Sequence, residues 1–144
     1  MLEWLLAEPS IQARLGFEIT ETAINGETAD PRAWMETLHP LGCTFALDNF
    51  GTRSSSLSFA REFPIGQIKI DGSFIAAMER DARALAVVQS VVALADGLQV
   101  TTVAEAIETE KTASRCRELG LALGQGYLFG EPAPLRTLDG RDAS

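Results

Sequence analysis

Soft metal ligands are scarce in this chain of 144 residues, which holds two cysteines, Cys43 and Cys116, and one histidine, His39. Neither cysteine belongs to a C-x-x-C pair and no His-x-x-x-His stands nearby, which argues against a zinc site or a disulfide framework. Two buried free thiols in a reducing cytoplasm are expected instead. His39, between Leu38 and Pro40, reads as a helix-end or surface residue. Basic charge is also short. Twelve Lys and Arg against twenty Asp and Glu leave a net charge of −8. With no basic cluster, neither DNA nor an anionic membrane surface is an expected partner. A phosphate-bearing ligand would need metal ions or a few well-placed cations. No apolar run approaches the roughly 20 residues of a membrane span. The opening residues carry Glu3 where a signal peptide carries a base, so secretion is not expected and a cytoplasmic location is. What remains is 46% hydrophobic and 22% charged, free of low-complexity tracts and sufficient for one core.

Apolar periodicity alternates between helical and strand-like along the chain. A helix is expected over 2–14, then a strand over 15–21. Asp30-Pro31 starts a second helix that ends near Leu41-Gly42, with Gly42 suited to a left-handed closing residue. Residues 43–48 form the second strand, followed by a loop over 49–56. A short helix over 56–62 leads to a third strand at 65–71. The longest helix spans about 81–97, its Ala84, Val87, Val88, Val91, Leu94 and Ala95 recurring at three- and four-residue steps. A strand at 100–105, a polar helix at 108–119 and a fifth strand at 121–125 complete the series. The tail over 133–144 is rich in Pro, Gly and Asp and is expected to end loosely.

Strands alternating with helices at this spacing pair in parallel through crossovers. No glycine-rich phosphate loop follows the first strand, which weakens a Rossmann or P-loop reading. The α/β fold class expected is a TIM-type (β/α) barrel, here an incomplete barrel of about five parallel strands, with its chemistry at the carboxyl ends. Each strand carries polar residues there: Glu18 and Glu21, Asp48 and Asn49, Lys69 and Asp71, Glu105, and Gln125. Buried acids and a lysine are costly unless paired or metal-bound, so a shared polar site is the expectation. Carboxylates suit Mg²⁺ or Mn²⁺. Such a cluster fits attack of water on a phosphodiester, although carboxylate-rich barrels also serve enolisation and sugar chemistry.

Five stretches resemble one family in family order: Phe17-Glu-Ile-Thr-Glu21, Ala46-Leu-Asp-Asn-Phe-Gly-Thr52, Ile68-Lys-Ile-Asp-Gly-Ser-Phe74, Val103-Ala-Glu-Ala-Ile-Glu-Thr109 and Gly124-Gln-Gly-Tyr-Leu-Phe-Gly-Glu-Pro132. The family is the EAL domain of bacterial cyclic di-GMP phosphodiesterases. The resemblance implies a TIM-type barrel, a pair of Mg²⁺ or Mn²⁺ ions, and hydrolysis of cyclic di-GMP to the linear dinucleotide. It also implies roles for named residues. Glu18 and Asp48, with Asn49 beside them, look like metal ligands. Lys69 and Glu105 look like the residues that position and deprotonate the attacking water. Glu21 resembles the acid that anchors the loop after Asp48, and Glu108 and Gln125 resemble supporting polar residues. Glu108 could equally cap its helix.

The chain also departs from the family pattern. Asn49 stands where the second of two aspartates is usual, and an amide is a weaker ligand. Arg53 and Ala106 replace glycines, while Gly72 and Glu131 replace residues that are often basic. The family's Glu-Ala-Leu motif falls upstream of Met1, so residues 1–132 read as the C-terminal portion of an EAL domain, inactive as an isolated chain. The alternative is a degenerate EAL module that senses cyclic di-GMP or contacts proteins. A homodimer or a partner protein is expected to cover the open barrel edges.

Overall fold

The structure, a computed structural model, describes residues 15–20, 23, 31–51 and 56–132. The helix expected over 2–14, the site candidate Glu21, Arg53 and the tail over 133–144 lie outside the described residues. The elements are β1 (Gly16–Thr20), α1 (Pro31–Leu38), β2 (Thr44–Phe50), α2 (Ser56–Glu62), β3 (Gln67–Ile70), α3 (Gly72–Ala77), α4 (Ala82–Leu98), β4 (Thr101–Ala104), α5 (Glu110–Glu118) and β5 (Leu123–Gly124). A 3₁₀ turn, His39–Leu41, extends α1, and Gly42 closes it with φ +89°.

The five strands are all parallel and stand in the order in which they leave the chain, β1-β2-β3-β4-β5. A doubly wound sheet reverses strand order at a switch point, and among the described strands the order does not reverse. One-way winding is the construction of a (β/α) barrel, here present as five strands with flanking helices.

Register divides the residues between two faces. Glu18 pairs with Ala46, Ala46 with Gln67, and Gln67 with Thr101. Alternation then puts Glu18, Ala46, Asp48, Gln67, Lys69 and Val103 on one face. The opposite face carries Ile19, Phe45, Leu47, Ile68, Ile70 and Ala104, all buried. Over them pack Met35 and Leu38 of α1, Phe59 of α2, Ile75 of α3, and Val88, Val91 and Ala95 of α4. Each such side chain contributes about 2 kcal/mol on burial, so this helix-covered layer is the core. At its amino end Phe17, Trp34 and Phe45 form a ring cluster with centroids 5.6 to 5.9 Å apart.

Three local features differ from the periodicity reading. β2 runs two residues past Asp48, because Asn49 adopts φ +55° and the register with β3 shifts between Leu47 and Phe50. The short helix α3 was not anticipated; it begins at Gly72, a poor helix former, and is held by the Asp71 carboxylate accepting from the Ser73 amide at 2.8 Å. Thr109, not Glu108, caps α5, its hydroxyl accepting from the Thr112 amide at 3.1 Å.

Candidate active site at the strand ends

Lys69 sits between Ile68 and Ile70, whose side chains belong to the core, so alternation sends its own chain to the other face. There the side chain is 6% exposed and meets three carboxylates. Its Nζ lies 2.9 Å from Glu18 Oε1, 2.8 Å from Glu105 Oε1 and 3.5 Å from Asp48 Oδ1. These acids come from β1, β2 and the residue just after β4, so the ammonium ties β3 to three other strands. Burial by itself pushes the lysine toward the neutral form. The hydrogen bonds to Glu105 and Glu18, with the charges of Glu105 and Asp48, outweigh it and raise the group above the ordinary lysine range. Lys69 is therefore a fixed cation.

Asp48 owes its position to the irregularity in β2. The extra residue bends the strand at its end, as a bulge does beside many sites. Asp48 Oδ2 accepts from Asn49 Nδ2 at 3.0 Å. Its Oδ1 is buried and accepts no hydrogen bond, alone in this among the side-chain oxygens of the described residues, and faces the Lys69 ammonium only as an ion pair at 3.5 Å. Glu105 follows β4, its amide donating to the Ile70 carbonyl at 3.3 Å. The next residue, Ala106, turns the chain with φ +53°. Both acids that flank Lys69 on β2 and β4 are thus followed by a left-handed residue other than glycine. Such strain gathers at functional sites.

A cavity of about 400 Å³ opens beside this cluster. Glu105, Glu108, Gln125 and Tyr127 line it, with Gly72, Ala106 and Gly126 completing the wall. Gln125 is fixed through its backbone, donating to the Ala104 carbonyl at 2.8 Å and accepting from the Ile107 amide at 3.0 Å. The structure therefore gathers Glu18, Asp48, Lys69 and Glu105 into one cluster. Asn49 lies against Asp48, and Glu108 and Gln125 stand in the adjoining cavity. Tyr127, 64% exposed at its mouth, went unsingled in the sequence, although it follows the Gly124-Gln-Gly run.

As a cation site the described residues fit in part. Among them no three His, Cys, Asp or Glu side chains are arranged around a common point for a metal. The carboxylates converge on the lysine instead. Asp48 Oδ1 is nonetheless a hard buried acceptor that takes no hydrogen bond and already faces a cation, the chemistry of a cation ligand. The described residues include no helix long and apolar enough to cross a membrane.

Comparison with known proteins agrees in sequence and shape. The family model described as "EAL domain" matches residues 1–132. The chain is 42% identical over 118 residues to the cyclic di-GMP phosphodiesterase RocR of Pseudomonas aeruginosa, covering 82% of this chain and 30% of that protein. It is 35% identical over 119 residues to the cyclic di-GMP phosphodiesterase PdeB of Shewanella oneidensis, covering 83% of this chain and 14% of that one. Among solved structures, the PaMucR phosphodiesterase in complex with c-di-GMP superposes with a TM-score of 0.82 at 32% identity, over 92% of this chain and 54% of that chain. The manganese and cyclic di-GMP complex of Klebsiella pneumoniae BlrP1 at pH 9.0 gives a TM-score of 0.81 at 30% identity, over 92% of this chain and 35% of that one. The chain thus spans less than a third of the two curated relatives named here.

Proposed function

The chain belongs to the EAL domain family, and from that premise we propose that its strand-end cluster is the core of a cyclic di-GMP phosphodiesterase site. The observation that carries this reading is a buried lysine clamped by carboxylates from three strands at the carboxyl end of a one-way parallel sheet. Surface or structural ion pairs do not require three separate strands to deliver their acids to one point.

In this reading Glu18, Asp48 and Asn49 would hold Mg²⁺ or Mn²⁺, Asp48 through the Oδ1 that accepts no hydrogen bond. A bound divalent ion polarises phosphodiester oxygens and acidifies water. The chain's own residues do the rest. Lys69 remains charged, so it cannot accept a proton; it holds Glu105 and Glu18 in place and offsets negative charge near the phosphate. Glu105, 20% exposed beside the cavity, receives the proton of the attacking water. The new bond joins water oxygen to phosphorus, the ring P–O bond breaks, and the departing oxygen takes a proton from solvent, to which Glu105 then returns the proton it received. Glu108 and Gln125 support the substrate from the cavity wall.

The test is incubation of the purified chain with cyclic di-GMP and Mn²⁺, followed by detection of the linear dinucleotide. Turnover that Glu105→Gln lowers at least 100-fold supports the reading. Binding without turnover supports a second reading, a sensing or protein-contact module. The observation favouring that second reading is Asn49, whose amide donates to Asp48 where a ligand oxygen would be needed. Turnover unaffected by Glu105→Gln refutes the assigned base.

The proposal extends to location and partners. Two buried free thiols suit a cytoplasmic protein. A second copy of the chain, or a partner protein, covers the outer edges at β1 and β5.

A further inference from the structure

Gly72 and Ala106 face each other across the strand ends, on the wall of the cavity beside Glu105. A Cβ added to Gly72 would lie 2.5 Å from the Ala106 Cβ and 3.6 Å from the Glu105 carbonyl oxygen. The first distance is too short for any two non-bonded carbons in contact. The space a side chain would need at 72 is therefore filled by the Ala106 methyl. Ala106 delivers that methyl only because its backbone is left-handed, at φ +53°, a conformation that costs alanine about 1 kcal/mol relative to glycine. Nothing local rewards that cost. The neighbours must hold it, and the bare backbone at Gly72 is the surface that receives the methyl.

The turn so fixed is the one that aims Glu105. Its amide is tied to the Ile70 carbonyl and its carboxylate to Lys69. Two residues after Ile70 comes Gly72, and one residue after Glu105 comes Ala106. The contact thus joins the segments that leave β3 and β4 just beyond the two partners of the ion pair.

We propose that Gly72 and Ala106 are a matched positioning pair, in which the alanine methyl seated on the glycine backbone fixes the Glu105 turn and keeps its carboxylate on Lys69. The inference rests on the functional reading above for its significance, and on the contact alone for its test. Neither residue touches a reacting atom; both act through Glu105.

The chain's composition supplies a readout independent of turnover. It contains two lysines, Lys69 and Lys111. The side chain of Lys69 is 6% exposed and that of Lys111 80% exposed. A ¹H–¹⁵N spectrum of the ammonium groups at neutral pH therefore isolates Lys69, since the protons of an exposed ammonium exchange with water too fast to be seen. Four proteins are compared: wild type, Gly72→Ala, Ala106→Gly and the double variant. Gly72→Ala is expected to lower the thermal midpoint by ~4 °C or more and to shift or broaden the Lys69 signal. Ala106→Gly is expected to weaken the Lys69 signal while leaving the midpoint within ~2 °C. In the double variant, where the methyl changes sides, both readouts return toward wild type.

Gly72→Ala leaving both readouts unchanged overturns the pair. So does a double variant no better than the worse single one, since the loss then has another cause. If Gly72→Ala does not fold, the recovery in the double variant and the signal in Ala106→Gly still decide. A wild type with no protected Lys69 signal overturns the pair and the cluster together. A wild type that shows the signal without hydrolysing cyclic di-GMP counts against the hydrolytic reading alone, and the four-protein comparison decides the pair.

Discussion

Lys69 concentrates much of the molecule's electrostatics in one side chain. Replacing it by methionine preserves its volume but leaves Asp48 and Glu105 without their countercharge. Loss of about 3 kcal/mol is expected from urea unfolding of Lys69→Met, the range for breaking a buried ion pair from one side. The pH dependence has a definite sign. Because the folded state raises this group, its contribution is complete below the unfolded value of about 10.4 and falls only as pH rises through the still higher folded value. The gap in urea midpoint between wild type and Lys69→Met should thus stay constant from pH 6 to 9. Cys116 behaves differently. Burial raises its thiol, with Arg117 opposing, so the unfolded chain loses this proton first, near pH 8.5. Stability should decline above that pH, and the decline should be smaller in Cys116→Ala. Both thiols are buried, so Ellman's reagent should titrate them rapidly only after denaturation. The acids and the lysine were legible in the sequence because each stands at the end of an apolar strand, where a charge needs a reason. The orphaned oxygen of Asp48 was not legible, since it follows from where Asn49 turns.

The link between β4 and β5 depends on close backbone approach more than on strand length. β5 spans two residues, yet pairing continues through Gln125 and Leu128 to residues 104 and 107. Gly126 allows this: a Cβ there would stand 2.2 Å from the Ile107 carbonyl oxygen and 2.3 Å from its nitrogen. Gly126→Ala should therefore cost about 2 kcal/mol or more. Hydrogen exchange should show the added opening at Gln125, Ile107 and Leu128 while Ile68 and Leu47 remain protected. Periodicity located all five strands and the long helix α4, whose apolar face repeats over 17 residues. It overran at β5, where 121–125 reads as a full strand but the strand proper is Leu123–Gly124. It also failed at α3, six residues long and begun by glycine. Short elements defined by caps and turns leave too few residues for a period to register.

The sheet's helix-covered face is closed by packing over most of its width, while apolar surface remains exposed at and just after β5. Leu123 is 50% exposed, and Tyr127 and Phe129 are 64% and 59% exposed. If a second copy covers this edge, as proposed above, light scattering after size exclusion should give a dimer at micromolar concentration. Leu123→Lys should then yield a monomer with an unchanged thermal midpoint. A wild-type monomer under those conditions would remove the second copy from the proposal. The consecutive order of the strands has one more consequence, for how the molecule comes into being. Among the described strands each pairs with the one before it in sequence, so β2 to β5 each find a first partner already made when they leave the ribosome. The sheet can be laid down like courses of brick, with every β–α unit completing the last. The cluster around Lys69 would be finished only when Glu105 arrives, so the charge that three strands share also marks the moment at which they are joined.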